Sequence, residues 1–296
     1  MRVRGGGDAR RDVAGQAPGR GVTGSVMSSV RGGGAGRAVR AEWTKLRTLP
    51  STGWLLFALA GITVAVGAAV TGSVDTADCV TPAACEEDTP RLALSGVRLG
   101  QIAAIVLGVL AVGGEYATGT ITATLAAVPR RGTVLAAKAA VVAGAVAAAG
   151  AVGVLAALAV GRGILPRNGF TAAHGYPPLS PLDGATARAA AGTVLYLVLV
   201  ALLSLGVATA LRDTAAATTA VLALLWIVPI VTRLVGDAAW RERLEKVAPM
   251  SAGLAVQSTR DLERLPIGPW PGLGVLAGYA AAAMLVGGVL FAVRDA

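Results

Sequence analysis

Few side chains in this sequence could do chemistry. There is one histidine, His174, and there are two cysteines, Cys79 and Cys85, too few for a metal-binding Cys/His cluster. The zinc-peptidase motif HExxH, the hydrolase motif GxSxG and the phosphate loop GxxxxGK followed by Ser or Thr are all absent from the sequence. We therefore predict that the chain has no active site and no metal, and that it is not an enzyme.

The ionisable residues near the long apolar runs lie at the ends of those runs rather than in their middles. A carrier driven by protons or sodium needs ionisable groups near the middle of the bilayer, where they are costly and usually functional. The residues near predicted span ends are Arg98, Glu115, Lys138, Arg188, Arg212, Asp213 and Arg233. If the chain moves a substrate, we expect its energy to come from a source other than a proton or sodium gradient acting on these residues.

The composition is that of a membrane protein. Of 296 residues, 54% are hydrophobic and 15% are charged, and the mean hydropathy is +0.66. A soluble domain carries roughly a quarter charged residues. The 40 glycines suit helices that pack closely through small residues. The net charge of +9 lies mainly in the first 40 residues and beside apolar runs, which favours membrane lipid, and not nucleic acid, as the partner.

The apolar runs predict an all-α, polytopic membrane protein with six transmembrane helices. Residues 37–296 form the transmembrane domain, after a Gly/Arg-rich tail, residues 1–36, that we expect to be disordered. Residues 1–26 are expected to lie upstream of the true start codon at Met27. The basic leader before the first span places both termini in the cytoplasm and the chain in the cell membrane. The spans cover about 54–72, 92–114, 133–160, 187–211, 215–235 and 269–293.

The leader, residues 37–50, predicts an amphipathic helix that lies in the inner membrane interface. Trp43 shares its apolar face with Val39 and Leu46, while Lys45 and Arg47 lie beside that face. A solvated helix is the alternative. We expect a fourth anchor in Lys138, which is close enough to the inner end of the third span for its ammonium to reach the membrane surface.

The stretch from Gly114 to Gly132 lies between the second and third spans and predicts a short cytoplasmic helix. Its apolar stripe is Ile121, Leu125 and Val128, and Pro129 ends it. Arg130 and Arg131 follow, where cations suit both a helix C-terminus and a cytoplasmic membrane surface. Such a helix can receive a push from a cytoplasmic partner; a plain connector is the alternative.

Two features are predicted on the outer side. Cys79 and Cys85 lie in an acidic loop, where a disulfide is permitted and two free thiols are the alternative. Residues 236–249 predict a second amphipathic helix with an ion pair between Glu242 and Lys246.

Four stretches resemble the six-span permease subunits of ABC-2 type ABC transporters, and one of them is the outer helical segment before the sixth span. The leader EWTKLRTLPSTGW (42–54) and the turn LRDTAAATTAVLALLW (211–226) are similar to the corresponding parts of that family. The stretch GEYATGTITATLAAVPRRGTVLAAK (114–138) matches the family pattern most specifically. The matching positions are Glu115, Gly119, Thr120, Leu125, Pro129, Arg130, Arg131 and Lys138.

The resemblance implies a permease that forms a homodimer or a heterodimer and binds separate ATPase subunits. ATP and Mg would then be held by the ATPase, and this chain would carry no cofactor. The 115–132 segment would be the ATPase-coupling helix, with Ile121, Leu125 and Val128 facing the partner. We expect export of an apolar or amphipathic substrate. A membrane sensor or scaffold that moves no substrate is the alternative.

Overall fold

The computed structural model describes residues 33–81, 85–127, 130–180 and 182–294. Val128 and Pro129 therefore lie outside the described residues, as does the predicted tail up to residue 32. The first helix begins at Gly33, inside the segment that we expected to be disordered.

The described residues form eleven α-helices, joined by short 3₁₀ turns, and contain no β-strand. They are α1 (Gly33–Thr48), α2 (Pro50–Gly72), α3 (Thr89–Ala93), α4 (Val97–Ala117), α5 (Ile121–Ala127), α6 (Arg131–Ile164), α7 (Gly184–Leu211), α8 (Thr214–Leu234), α9 (Ala238–Val247), α10 (Pro249–Leu254) and α11 (Pro269–Val293).

Six of these helices, α2, α4, α6, α7, α8 and α11, are long and apolar enough to cross a membrane. This confirms the predicted number of spans and the multi-pass architecture. The second span differs from its prediction, because the run from residue 92 is broken into α3 and α4. The third span is longer than predicted: 34 residues of α6 rise about 51 Å, well beyond an apolar bilayer core of about 30 Å.

Aspartates set the starts of several helices. Asp183, Asp213 and Asp237 each accept a hydrogen bond from a backbone N–H in the first turn of α7, α8 and α9, respectively. The reversal between α7 and α8 needs only Arg212, in the left-handed conformation at φ 58°, and Asp213. The sequence predicted this minimal turn.

Close approach of small residues holds the bundle together, and α7 lies at its centre, against α4, α6, α8 and α11. Gly206 of α7 faces Gly287 of α11, where a Cβ on either residue would overlap the other helix. Gly96 and Gly100 face Thr63 of α2 in the same way. The small-residue pair Gly274 and Gly278 has open space around it within the described chain.

The start of α2 and the end of α11 lie at one end of the bundle, together with α1, and we call this the terminal end. The loops at the opposite end are joined to one another by covalent and hydrogen bonds. Cys79 and Cys85 are joined there by a disulfide, with Cα atoms 5.6 Å apart. The Tyr176 hydroxyl donates to the Cys85 carbonyl, and Thr259 Oγ1 donates to Asp88 at 2.7 Å. The predicted ion pair is also present, with Lys246 Nζ 2.7 Å from Glu242 Oε1.

Replacing Gly206 by alanine should separate α7 from α11, because the new methyl would lie 2.5 Å from the Ala283 carbonyl carbon. Overpacking of this kind costs about 1 to 3 kcal/mol, so the aggregation temperature of the detergent-solubilised protein should fall. Gly274→Ala is the control, since nothing lies within 4 Å of its added Cβ. Equal aggregation temperatures for the two variants would show that the two helices do not meet at Gly206.

Candidate functional site

Four charged side chains from three helices form a closed ring at the terminal end, which we call the charge ring. Lys138 Nζ of α6 lies 2.7 Å from Glu42 Oε2 of α1 and 2.6 Å from Glu115 Oε1 of α4. Lys45 Nζ of α1 lies 2.8 Å from the same oxygen of Glu115 and 3.0 Å from Glu42 Oε1. Each ammonium thus contacts both carboxylates, and the ring is neutral.

Three of the four side chains in the charge ring are largely removed from solvent, whereas the fourth, Lys45, is 42% exposed. The Lys138 side chain is 3% exposed, while Glu42 and Glu115 are 7% and 12% exposed. A buried charge is tolerated only when it is paired and hydrogen-bonded, because its desolvation costs several kcal/mol. The ring therefore fixes the position of α1 against the ends of α4 and α6.

Helix periodicity explains how the sequence places these groups. Glu42 and Lys45 are three residues apart and so share one face of α1. Glu115 lies in the last turn of α4, and Lys138 lies about two turns into α6. Lys138 was expected to reach the membrane surface, but its ammonium turns inward because two carboxylates are within reach.

The connector between α4 and α6, which contains α5, is fastened to the charge ring. Lys45 Nζ donates to Thr124 Oγ1 of α5 at 3.1 Å. Gly119 turns the chain into α5 with a φ of 68°, a left-handed conformation that favours glycine. The hydroxyls of Thr118 and Thr120 are hydrogen-bonded to each other at 2.9 Å. The start of α5 is thus held to α1.

The side of α5 that is buried against the chain corrects one prediction. Ile121 was expected to face a partner, but it is 3% exposed and packs into the chain itself. A stripe of apolar residues shows that one side of a helix is buried, but it does not show which neighbour buries it. The side chain of Leu125, like Val128 and Pro129, is outside the description. Thr122 and Ala126, one turn apart, are exposed instead.

Arg131, the first residue of α6, fastens the C-terminal end of the connector. Its guanidinium donates to the carbonyl oxygens of Phe291, at 2.8 Å, and Arg294, at 2.6 Å, at the C-terminus of α11. A cation at this position satisfies carbonyls that have no partner within the helix. Arg130, just before it, is exposed and in an extended conformation.

Arg212, which lies between α7 and α8, adds a further contact at this end. Its guanidinium lies 5.3 Å from the centre of the Tyr116 ring and donates to the Arg294 carbonyl at 3.3 Å. The ends of α4, α7 and α11 are therefore joined beside the connector.

The remaining predicted residues lie apart from the charge ring. Trp43 is 51% exposed on α1, and Arg47 is exposed near its end. The Cys79–Cys85 disulfide is at the opposite end of the bundle. Glu42 was not among the predicted site residues. Two features of the sequence could have identified it. Glu42 lies three positions before Lys45, and Glu115 and Lys138 carry opposite charges near the ends of the second and third spans.

A cavity of about 470 Å³ lies beside the charge ring. Its apolar wall includes Leu46, Leu49 and Leu110, and its charged wall includes Glu115 and Lys138. Within the described residues, no group of three or more His, Cys, Asp and Glu side chains is placed to hold a metal. Each ring carboxylate contacts two ammonium groups, and the Oε2 atom of Glu115 is buried without a hydrogen-bond partner within the described residues.

Comparison of the sequence with models of known protein families gives no match, and comparison with curated protein sequences gives none either. What the chain does must therefore be argued from its own geometry.

Replacing Lys138 by methionine should destabilise the protein strongly, because Glu42 and Glu115 would be left facing each other with one ammonium fewer. Breaking a buried ion pair costs about 3 to 5 kcal/mol, which is measurable as a lower aggregation temperature in detergent. Lys246→Met is the matched control and should change little, since its pair with Glu242 is exposed. Equal losses in the two variants would contradict a buried charge ring.

The pKa of Lys45 predicts the pH range in which this lysine stops stabilising the charge ring. Burial alone would lower that pKa, but hydrogen bonds to Glu115 and Glu42 outweigh burial and raise it above its ordinary value of 10.5. A raised pKa in the folded state adds stability that is complete below the unfolded value and is lost as pH rises through the folded value.

The stability difference between the wild type and Lys45→Met should therefore stay constant from about pH 6 to about pH 9. It should shrink only in strongly alkaline buffer, above 10.5. Thermal aggregation measured over a pH series checks this expectation. A difference that disappears near neutral pH would mean that Lys45 does not bind the two carboxylates.

Proposed function

We propose that this chain is the permease subunit of an ATP-driven ABC transporter of the ABC-2 type, working as an exporter of an apolar or amphipathic substrate. A separate ATPase subunit, which holds ATP and Mg, docks on the connector between α4 and α6. The single observation that carries the proposal is that side chains fasten this connector to α1 at one point and to the membrane-spanning helix α11 at another.

The fastening supports a mechanical role for the connector. A load on α5 reaches α1 through the hydrogen bond between Thr124 and Lys45. It reaches α4 and α6 through the charge ring. At the other end of the connector it reaches α11 through Arg131. A plain connector needs none of these contacts, whereas a segment that drives movement of the spans needs all of them.

The burial of Ile121 changes the proposed docking face. Ile121 holds α5 against the chain, and the ATPase contacts the exposed side of α5, at Thr122 and Ala126. Both side chains are small, so the ATPase can approach the α5 backbone closely. Arg130, also exposed, adds a cation at the edge of this face.

The charge pattern and the disulfide support one orientation in the cell membrane. Lys45, Arg47, Arg130 and Arg131 lie at the terminal end, which we place in the cytoplasm. The disulfide lies at the opposite end, and disulfides persist in oxidising compartments outside the cytosol. Two copies of the chain, or one copy and a related permease, form the complete membrane unit, with α1 in the inner membrane interface.

Replacing Ala126 by arginine should block ATPase docking, because a long cation would occupy the exposed face of α5. Ala239→Arg is the matched control, since Ala239 is an exposed alanine on a short helix at the opposite end. We expect the wild type and Ala239→Arg, purified from native membranes in mild detergent, to carry Mg-ATP hydrolysis that co-elutes with the chain.

Ala126→Arg should lose at least about nine tenths of that hydrolysis, the effect of a docking loss of roughly 1.4 kcal/mol or more, while its yield and aggregation temperature stay unchanged. Hydrolysis retained by Ala126→Arg would overturn the proposed docking face. Absence of hydrolysis from every preparation would favour a sensor or scaffold that works without an ATPase.

A further inference from the structure

The far end of the bundle contains a cavity that the proposed function does not use. It measures about 500 Å³ and lies between α2, α4 and α8, within the size range of small-molecule sites. A second cavity, of about 250 Å³, extends beside α10. Arg91 and Arg98 line both cavities and so mark their junction.

The walls of the larger cavity divide into a polar rim and an apolar shaft. Glu87, Arg91 and Arg98 lie at the rim, near the far ends of the helices. Val66, Leu99 and Trp226 line the shaft. Trp226 lies eight residues before the end of α8, about 12 Å toward the membrane interior. A molecule that fills this space needs a polar head and an apolar stem.

Arg91 and Arg98 bring two guanidinium groups to the polar rim, which also carries the side chains of Glu86, Glu87 and Asp88. The Ser95 hydroxyl, on the segment between these two arginines, is enclosed and has no hydrogen-bond partner within the described residues. The Ser258 hydroxyl, in the wall of the second cavity, is in the same state. Buried polar groups are normally satisfied. Because these two oxygens are enclosed, they do not face the cavities. The donors that can reach a bound molecule are the two guanidinium groups, which suit a phosphodiester, because its oxygens are only acceptors at neutral pH.

The acidic residues at the rim are not equivalent. Asp88 is occupied by Thr259 and the Arg260 backbone, and Glu86 faces Arg264 at 3.7 Å. The Glu87 carboxylate accepts no hydrogen bond and forms no ion pair within the described chain. It is therefore placed to bind a cation that lies next to the phosphate.

We propose that this cavity binds an alkyl amphiphile whose head carries a phosphate next to a cationic amine. Arg91 and Arg98 bind the phosphate, Glu87 binds the amine, and the alkyl stem lies along Val66, Leu99 and Trp226. The site stands on its own geometry and does not depend on whether an ATPase drives the chain.

Trp226 supplies a reporter for the test. A lysophosphatidylcholine with a brominated chain, added to the full chain in a maltoside detergent, should quench the part of the tryptophan fluorescence that Trp226→Phe removes. Arg91→Gln/Arg98→Gln should weaken this quenching about tenfold, the usual effect of losing charged hydrogen bonds. Arg264→Gln is the control, since Arg264 lies on the same surface but lines neither cavity, and it should leave the quenching unchanged.

A second test varies the head group of the brominated amphiphile and keeps Arg91 and Arg98 unchanged. It therefore does not depend on whether the double variant folds. Glu87→Gln should weaken binding of the zwitterionic amphiphile and leave binding of a brominated phosphate amphiphile without the amine unchanged. Equal quenching by brominated amphiphiles with cationic, anionic and zwitterionic heads would overturn the proposal, because it would reflect apolar partitioning. Displacement of the amphiphile by inorganic phosphate at similar concentration would also overturn it, because the site would then bind free phosphate.

Discussion

An ion placed in an apolar bundle must meet an opposite charge, and the terminal end of this protein depends on that constraint. Two lysines and two glutamates from α1, α4 and α6 are paired with one another in the charge ring. None of the four can leave without exposing another to the desolvation cost. The ring therefore makes three helix ends and the connector beside them behave as a single unit, although apolar packing alone would let these helices slide.

The two ends of the bundle are held by different means. At the terminal end the fastening is ionic, and Arg131 extends it to the carbonyls of α11. At the far end the fastening is a disulfide together with hydrogen bonds from Tyr176 and Thr259. Between them, α4 and α7 are more than half buried in their apolar windows, whereas α2, α8 and α11 are mostly at the surface. Helices α4 and α7 thus form the centre of the bundle, and the less buried helices α2, α8 and α11 pack around them.

Local sequence signals were enough to predict the six spans and the turn at Arg212 and Asp213, because apolar length and capping residues act over a few positions. The charge ring could not be predicted in the same way. Lys138 is 96 positions from Glu42 and 23 from Glu115, so only the packing of α1 against α6 shows that they meet. For Lys138 the local rule, that a lysine near a span end reaches the surface, gave the wrong direction. The apolar character of Ile121 indicated correctly that its side chain is buried, but the chain itself buries it and not a docked partner.

Helix α4 connects the two sites. It carries Glu115 in its last turn and Arg98 in its first, about 25 Å apart along its axis at 1.5 Å per residue. Helix α4 is one of the most buried spans, so neighbouring helices support it along much of its length. On the proposed function, a displacement applied to Glu115 through the connector would be carried along α4 to Arg98, which lines the far cavity. The opposite wall of that cavity includes Trp226 of the more exposed α8. A push at the terminal end that shifted α4 relative to α8 would change the width of this cavity, because side chains of both helices line it.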